Sequence, residues 1–565
     1  MKKNIIYSII IIVGLVVSCS GEYDQIIPPT ELSADEVFND VARVRTFINP
    51  AYSGVRNSPW VELDYHTNNM VEVYGAQREA VSGATAESSP VNSEWNTAFT
   101  NIFRINEFLK YGFNITYDAF NQNFADNLKQ RIRGEAFGLR AYYKWLLLKN
   151  FAGPSANDGS MLGIPIVDDL LTIEDVNDVP RSTYLDSYKS IEKDLDSAYQ
   201  YVEVLRYQGN GDVDGLLFTS RISREMILAL RARMALYAAS PAFNQISWDE
   251  AAQIAYDAIV EIDGGSLLNL QPYGNFNNTK NPDHFWRRSY SQNANLEQAH
   301  YPPSMFGRGE GNPSQNLVDA FPDNNGYPIT HPSSNYNTAS PYDNRDHRFE
   351  RFIFYNGQNE YRNEYIEVYP GGEDAPGGIR RQATRTGYYM KKFLSESIGL
   401  DPDDGSSARQ DFKLYPIFSR EGLYLDFAEA AVEAYGVTGK NGTMAFSAQD
   451  ALQIIRVRAG YTNDLYLDEA DDFLNTFRNL VRNERRIEFA FEGEYYYDVR
   501  RWMLPIADLQ IPVMGVKVEK LGEDIFNYEN KTVEGRQFTD RMYYNPIPRN
   551  QILNSNALIQ NAGWE

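Results

Sequence analysis

One cysteine, Cys19, is the entire thiol content of these 565 residues. An internal disulfide is therefore impossible, and a cysteine-rich zinc centre is excluded. The five histidines, His66, His284, His300, His331 and His347, include no HExxH spacing or other close ligand pair. No G-x-S-x-G elbow offers a nucleophilic serine and no Walker loop offers a phosphate cradle. Positive charge is scarce: 53 Lys and Arg stand against 76 Asp and Glu, a net charge of −23. Such a balance argues against nucleic acid and against an anionic lipid surface as partners. Long apolar runs are missing too, apart from residues 5–17. That run falls short of the roughly 20 residues that cross a hydrocarbon core of about 30 Å.

The run at residues 5–17 follows Lys2 and Lys3 and has the form of an export signal. It ends in Leu15-Val16-Val17-Ser18-Cys19, which resembles the lipobox of bacterial lipoproteins. Residues 1–18 are thus expected to be a lipoprotein signal peptide and Cys19 the lipid attachment site. Buried acyl chains contribute about 0.8 kcal/mol per methylene, so a multiply acylated cysteine holds firmly. Glu22 and Asp24 resemble the short acidic signal that sends some lipoproteins to the outer cell surface. Residues 20–30 read as a tether, and Ser33 to Glu36 as a helix cap.

Apolar spacings of three and four mark helices along the chain. Residues 92–111 carry Trp95, Phe99, Ile102, Phe103 and Asn106 on one stripe, and residues 133–151 repeat the pattern with Ala136, Leu139, Tyr143, Leu146, Leu147 and Asn150. A third helix is expected from the cap at Pro180 to Thr183 as far as about Leu205, a fourth at 220–239 and a fifth from Trp248. Consecutive helices with short links favour stacked helix pairs over a doubly wound sheet, although no strict 34-residue period is visible. Residues 267–419 turn to Gly, Pro, Asn and Tyr, with strand-like pieces such as Phe352-Ile353-Phe354-Tyr355. Helices resume at 421–435, 445–459 and 472–491, and residues 505–565 read as mostly irregular.

Aromatics make up 13% of the chain, with 39 Tyr and 7 Trp, and many sit in loop-forming segments. Flat, rigid, half-polar side chains on loops are what a protein needs to grip a sugar ring or a peptide. Two regions stand out as ligand-binding candidates: Trp60, Tyr65 and Tyr74 before the first long helix, and Trp286, Tyr290, Tyr301 and Phe306 after the fifth. Trp95, on a helical stripe, is expected to be structural.

Other constellations are weak. Asn210 to Gly215 imitates half of an EF-hand loop, but Arg221 stands where the bidentate Glu is required. Asp403 with Asp404, and Asp471 with Asp472, could be cast as a glycosidase acid and base, yet sequence adjacency does not place two carboxylates across a cleft. Arg485, Arg486, Glu488, Glu492, Asp498 and Arg500 are expected to form a structural ion-pair network.

Seven motifs, in order, resemble the SusD/RagB family. Arg133-Gly134-Glu135-Ala136-Phe137-Gly138-Leu139-Arg140-Ala141-Tyr142-Tyr143 is similar to the family's GEARFLRAYYY helix. Pro180-Arg181-Ser182-Thr183, Leu236 to Pro241 with Phe243-Asn244, and Asn312 to Phe321 follow. Asn344-Arg345-Asp346, Asn483 to Gly493 with Asp498 to Trp502, and Pro546-Ile547-Pro548 with Gln560 to Trp564 complete the set. The resemblance implies a mainly α fold of tetratricopeptide-like helix pairs with a loop-rich, mostly irregular C-terminal part containing short strands. It divides the chain into an N-terminal helical-repeat region, 19–266, and a C-terminal region, 267–565. It also implies an outer-membrane, surface-exposed lipoprotein that binds a nutrient glycan for a SusC-like TonB-dependent transporter, without enzymatic activity, cofactor or metal. A peptide ligand, as associated with the RagB branch, is the alternative, and a glycoside hydrolase a distant third.

Overall fold

The computed structural model describes residues 38, 41–112, 122–274, 278, 280–288, 291–359, 361–362, 364–442, 444–470 and 473–565. The signal segment, Cys19, the tether, Tyr290 and the pair Asp471 and Asp472 lie outside the described residues.

The fold is mainly helical. Its long helices are α1 (Asn92–Tyr111), α2 (Gln122–Phe151), α3 (Tyr184–Tyr201), α4 (Arg224–Ala239), α5 (Trp248–Asp263), α6 (Arg420–Tyr435), α7 (Ala448–Arg458) and α8 (Leu474–Glu488), followed by the shorter α9 (Glu494–Arg501). Neighbours in sequence pack on each other: α1 and α3 on α2, α4 on α5, and α7 and α8 on α6, while α5 and α4 both reach α6 across the long insertion. Polar residues fix where several helices start. Side-chain oxygens of Thr183, Ser223, Ser247 and Ser447 accept from the backbone N–H groups of Asp186, Met226, Glu250 and Asp450, satisfying donors that a helix cannot pair internally.

The motif in α2 is explained by contact. A Cβ on Gly134 would lie 2.4 Å from Val202 Cγ2, and one on Gly138 2.6 Å from Ile222 Cγ2, so both glycines let a neighbouring segment approach the helix. Arg140 forks onto Asp194 at 2.9 and 2.5 Å, joining α2 to α3. The stripe expected on α1 holds in part: Trp95, Ile102 and Asn106 are buried and Phe99 is half-buried, but Phe103 is exposed.

Strands are few. They are β1 (Met70–Glu72), β2 (His284–Arg287), β3 (Gly311–Pro313), β4 (Pro416–Ser419), β5 (Val513–Gly522) and β6 (Ile525–Glu534), together with shorter pieces. β1 pairs antiparallel with β3, β2 with β4, and β5 with β6. The last pair corrects the expectation that residues 505–565 are mostly irregular, for two ten-residue strands form a hairpin there. Its first half buries Val513, Val516 and Val518, while in its outer half Phe526 and Tyr528 are half-buried against the core and the residue between them is exposed.

Charges are built into the interior. Arg485 meets Asp426 at 2.7 Å and Asp498 at 3.3 Å, and Arg501 meets Glu429 at 2.5 Å and Asp498 at 2.7 Å. Arg348 joins Asp346, Glu484 and Glu488 at 2.6, 2.7 and 2.8 Å. Burial alone would push the Glu429 carboxyl up, but the Arg501 and Arg485 guanidiniums hold it near 2. These ions fasten α6, α8 and α9 to one another. Two expected members stand apart: Arg486 donates to Asn69 Oδ1 at 2.8 Å, and Arg500 to the Met542 and Tyr496 carbonyls at 3.1 and 2.7 Å.

Candidate functional site

The short β1–β3 pairing is what assembles the exposed aromatic face. Met70 lies opposite Pro313 and Glu72 opposite Gly311, and the ladder continues where Val73 N–H donates to the Glu310 carbonyl at 2.9 Å. This carries Tyr74 to the loop that follows the fifth helix. Tyr74 is 51% exposed and its hydroxyl lies 3.4 Å from Glu310 Oε1. Glu310 also accepts from Arg308 Nε at 2.5 Å, and that hydrogen bond raises the Arg308 pKa above its ordinary value. Two residues before Arg308, Phe306 is 48% exposed at φ +66°, an uncommon conformation for a residue with a Cβ. Arg380 donates to the Phe306 carbonyl at 3.3 Å, and its chain neighbour Ile379 is exposed.

Alternating glycines make the loop possible. A Cβ would meet the Tyr301 carbonyl oxygen at 2.1 Å on Gly307, Tyr389 Cε1 at 2.5 Å on Gly309 and Met70 Cε at 2.9 Å on Gly311. The backbone therefore lies flat on the core, and the intervening residues, Phe306, Arg308 and Glu310, are the ones left to reach solvent. Behind them Arg385 ties β1 to β6, donating to the Glu72 carbonyl at 3.0 Å and to Glu534 at 2.7 Å. The result is two aromatic surfaces linked by a hydrogen-bonding Arg–Glu pair, an arrangement that can cover apolar C–H faces and bond hydroxyls.

Of the seven aromatics singled out in the sequence, Tyr74 and Phe306 are brought together here. Trp286 is corrected: at 0% exposure it has no free face, its Nε1 donates to the Ser220 carbonyl at 3.2 Å, and it packs on Tyr142 and Phe418 with ring centroids at 5.0 and 6.3 Å. Tyr301 is likewise fully buried, its hydroxyl donating to the Ser395 carbonyl at 2.7 Å. Tyr65 is buried in the same cluster as Met70 and Tyr301. Their surroundings are polar in sequence, but each ring is turned inward as a loop anchor. Trp60 is half-buried, with the Arg56 guanidinium 3.6 Å over its ring, and forms part of the wall of a cavity of about 370 Å³. Arg308, Glu310, Ile379 and Arg380 were not anticipated. The alternation Gly307-Arg308-Gly309-Glu310-Gly311 is the signal that would have found the first two.

Comparison with known proteins locates this architecture. Residues 271–564 match the sequence model described as the SusD family, and residues 27–209 match one described as starch-binding associating with outer membrane. No curated protein matches the chain. Among solved structures, a SusD-like protein from Bacteroides fragilis is 22% identical, with 94% of this chain and 100% of that one covered and a TM-score of 0.73. A SusD-like carbohydrate binding protein from the same organism is 20% identical over 92% and 99% of the two chains, with a TM-score of 0.70. Surface glycan-binding protein A from Bacteroides thetaiotaomicron, in complex with laminarihexaose, is 14% identical over 92% and 99%, with a TM-score of 0.60. At these identities the likeness to solved structures is one of fold. With a single family model spanning more than half of its residues, this chain belongs to the SusD family.

Proposed function

We propose that this chain captures a nutrient glycan on the Tyr74–Phe306 face and delivers it to a SusC-like TonB-dependent outer-membrane transporter, held at the cell surface by lipid on Cys19. The observation that carries the reading is the exposed pair of aromatics flanking the Arg308–Glu310 ion pair. Two fold neighbours named as carbohydrate- or glycan-binding, one of them in complex with laminarihexaose, support it, as does the starch-binding family matched at residues 27–209. A partner is needed for transport because no helix among the described residues is long and apolar enough to cross a membrane.

If each ring removes about 50 Å² of sugar C–H surface from water, it contributes about 1 kcal/mol, or about fivefold in affinity. Calorimetry of the soluble chain against polysaccharides, oligosaccharides including laminarihexaose, and peptides tests the reading. Tyr74→Ala and Phe306→Ala should each weaken glycan binding by about fivefold without lowering Tm. Binding of peptides alone, or full glycan affinity in the double variant, overturns it.

A further inference from the structure

We propose that the cavity beside Trp60 is a second binding site, separate from the Tyr74–Phe306 face, for a single monocarboxylated sugar of the uronic acid class. Its volume, about 370 Å³, lies near the lower end of the roughly 300–1,000 Å³ of ligand pockets. It is set between α1, α2, α4 and β4, and the exposed residues Ser53 and Asn57 stand at its rim. Aromatic residues from four segments, Trp60, Tyr142, Tyr237 and Tyr415, contribute to its wall.

Two groups there have hydrogen-bonding capacity that the protein leaves unused. Tyr237 is 2% exposed, and its hydroxyl has no hydrogen-bond partner among the described residues. A buried hydroxyl without a partner is a donor and acceptor that a ligand atom can satisfy. Lys149 lies 3.8 Å from Glu494, beyond hydrogen-bonding range, and its ammonium sits 4.0 Å from the centre of the Tyr497 ring. Burial pushes its pKa down, as expected of an ammonium whose charge is incompletely answered.

The charge pattern selects the ligand's sign. Arg56, Lys149, Arg233 and Arg288 face Glu94, Glu492 and Glu494. Behind this wall, Asp426 holds Arg233 at 2.6 Å and Lys392 holds Glu492 at 2.7 Å, so the surplus of one positive charge is preserved. In a chain with a net charge of −23, such a local surplus suits one carboxylate. Arg56 is already answered by Glu94, and Arg233 by Asp426 and Glu494, so the neutral body of that ligand would meet the aromatic wall and the Tyr237 hydroxyl, which fits a sugar ring better than a second anionic group.

The probe is D-glucuronate, titrated calorimetrically into the soluble chain, with D-glucose and acetate as comparators. Saturable binding at one site per chain is expected, with both comparators at least about tenfold weaker, because a charge-assisted hydrogen bond is worth about 1.5–3 kcal/mol. Lys149→Met should reduce glucuronate affinity at least about tenfold and Tyr237→Phe about fivefold, whereas Arg549→Ala, in an exposed ion pair with Glu87, should not change it. Tyr237→Phe removes an oxygen that no protein group bonds, so it keeps the test valid should Lys149→Met fold poorly. No saturable binding, equal binding of glucose, or unchanged affinity in folded Tyr237→Phe overturns the proposal.

Discussion

Replacing Trp286 by alanine separates a core residue from a ligand platform. The indole is fully buried, bonded to the Ser220 carbonyl and packed between Tyr142 and Phe418. Removing it should cost about 3–5 kcal/mol, as large-to-small changes at buried aromatics do, and it strands a carbonyl as well. A chain of this size unfolding cooperatively carries an unfolding entropy of about 1.2 kcal/mol per kelvin, so about 4 kcal/mol lowers Tm by about 3–4 °C. Trp286→Phe should recover most of that loss, because it restores the apolar volume without the donor. The assay is differential scanning calorimetry, run beside ligand titration on the same preparations. A Trp286→Ala variant with unchanged Tm and weakened glycan affinity would refute the assignment and return this residue to the binding surface.

Gly134→Ala should lower stability by about 1–3 kcal/mol, since its methyl would lie 2.4 Å from Val202 Cγ2 and 2.9 Å from the Val202 backbone nitrogen; urea denaturation measures this. Asp64 is buried, and burial lifts its carboxyl to about 7 against the hydrogen bonds from Gly493 and Asn69. Because the folded chain then holds a proton that the unfolded chain has released, stability falls as pH rises from about 4 to 7. Asp64→Asn should therefore gain stability over the native chain progressively across that interval and hold the gain above it, and thermal melts at stepped pH give the curve. Cys19→Ala should release the protein from the membrane fraction or leave its precursor uncleaved, as read by fractionation and intact mass.

The helices could be read because their apolar residues recur at spacings of three and four. Residues 92–111 coincide with α1, where burial is periodic, whereas the second half of α2 and most of α6 are buried on nearly every side, so their stripes lie inside together with the positions between them. The hairpin is hard to read because its alternation is short: in β6 only Phe526 and Tyr528 alternate with exposed neighbours, and residues 529–532 are exposed in a row. For the candidate site, the sequence shows which segments carry aromatics but not the direction of each ring: Tyr74 and Phe306 are exposed, while Tyr65, Trp286 and Tyr301 are buried. Trp286 and Tyr301 lie among polar neighbours yet point inward, and only the β2–β4 pairing and the Ser395 carbonyl determine that. Phe306 points outward because Gly307 presses the loop against Tyr301 and Gly309 presses it against Tyr389, the second a contact between segments distant in the chain.

The β1–β3 ladder also sets a timetable. Tyr74 and Glu310 are 236 positions apart, so the face between them cannot exist until helices α1 to α5 and much of the insertion have found their places. Closing so long a loop is entropically uphill and is repaid here by three residue pairs, so the local helices should condense well before it. The Tyr74–Phe306 face thus comes late, after the local helices, and opens without their loss. On the proposed function, a population with native helix content can already be blind to its ligand, so that ligand titration reports closure of this ladder where circular dichroism does not.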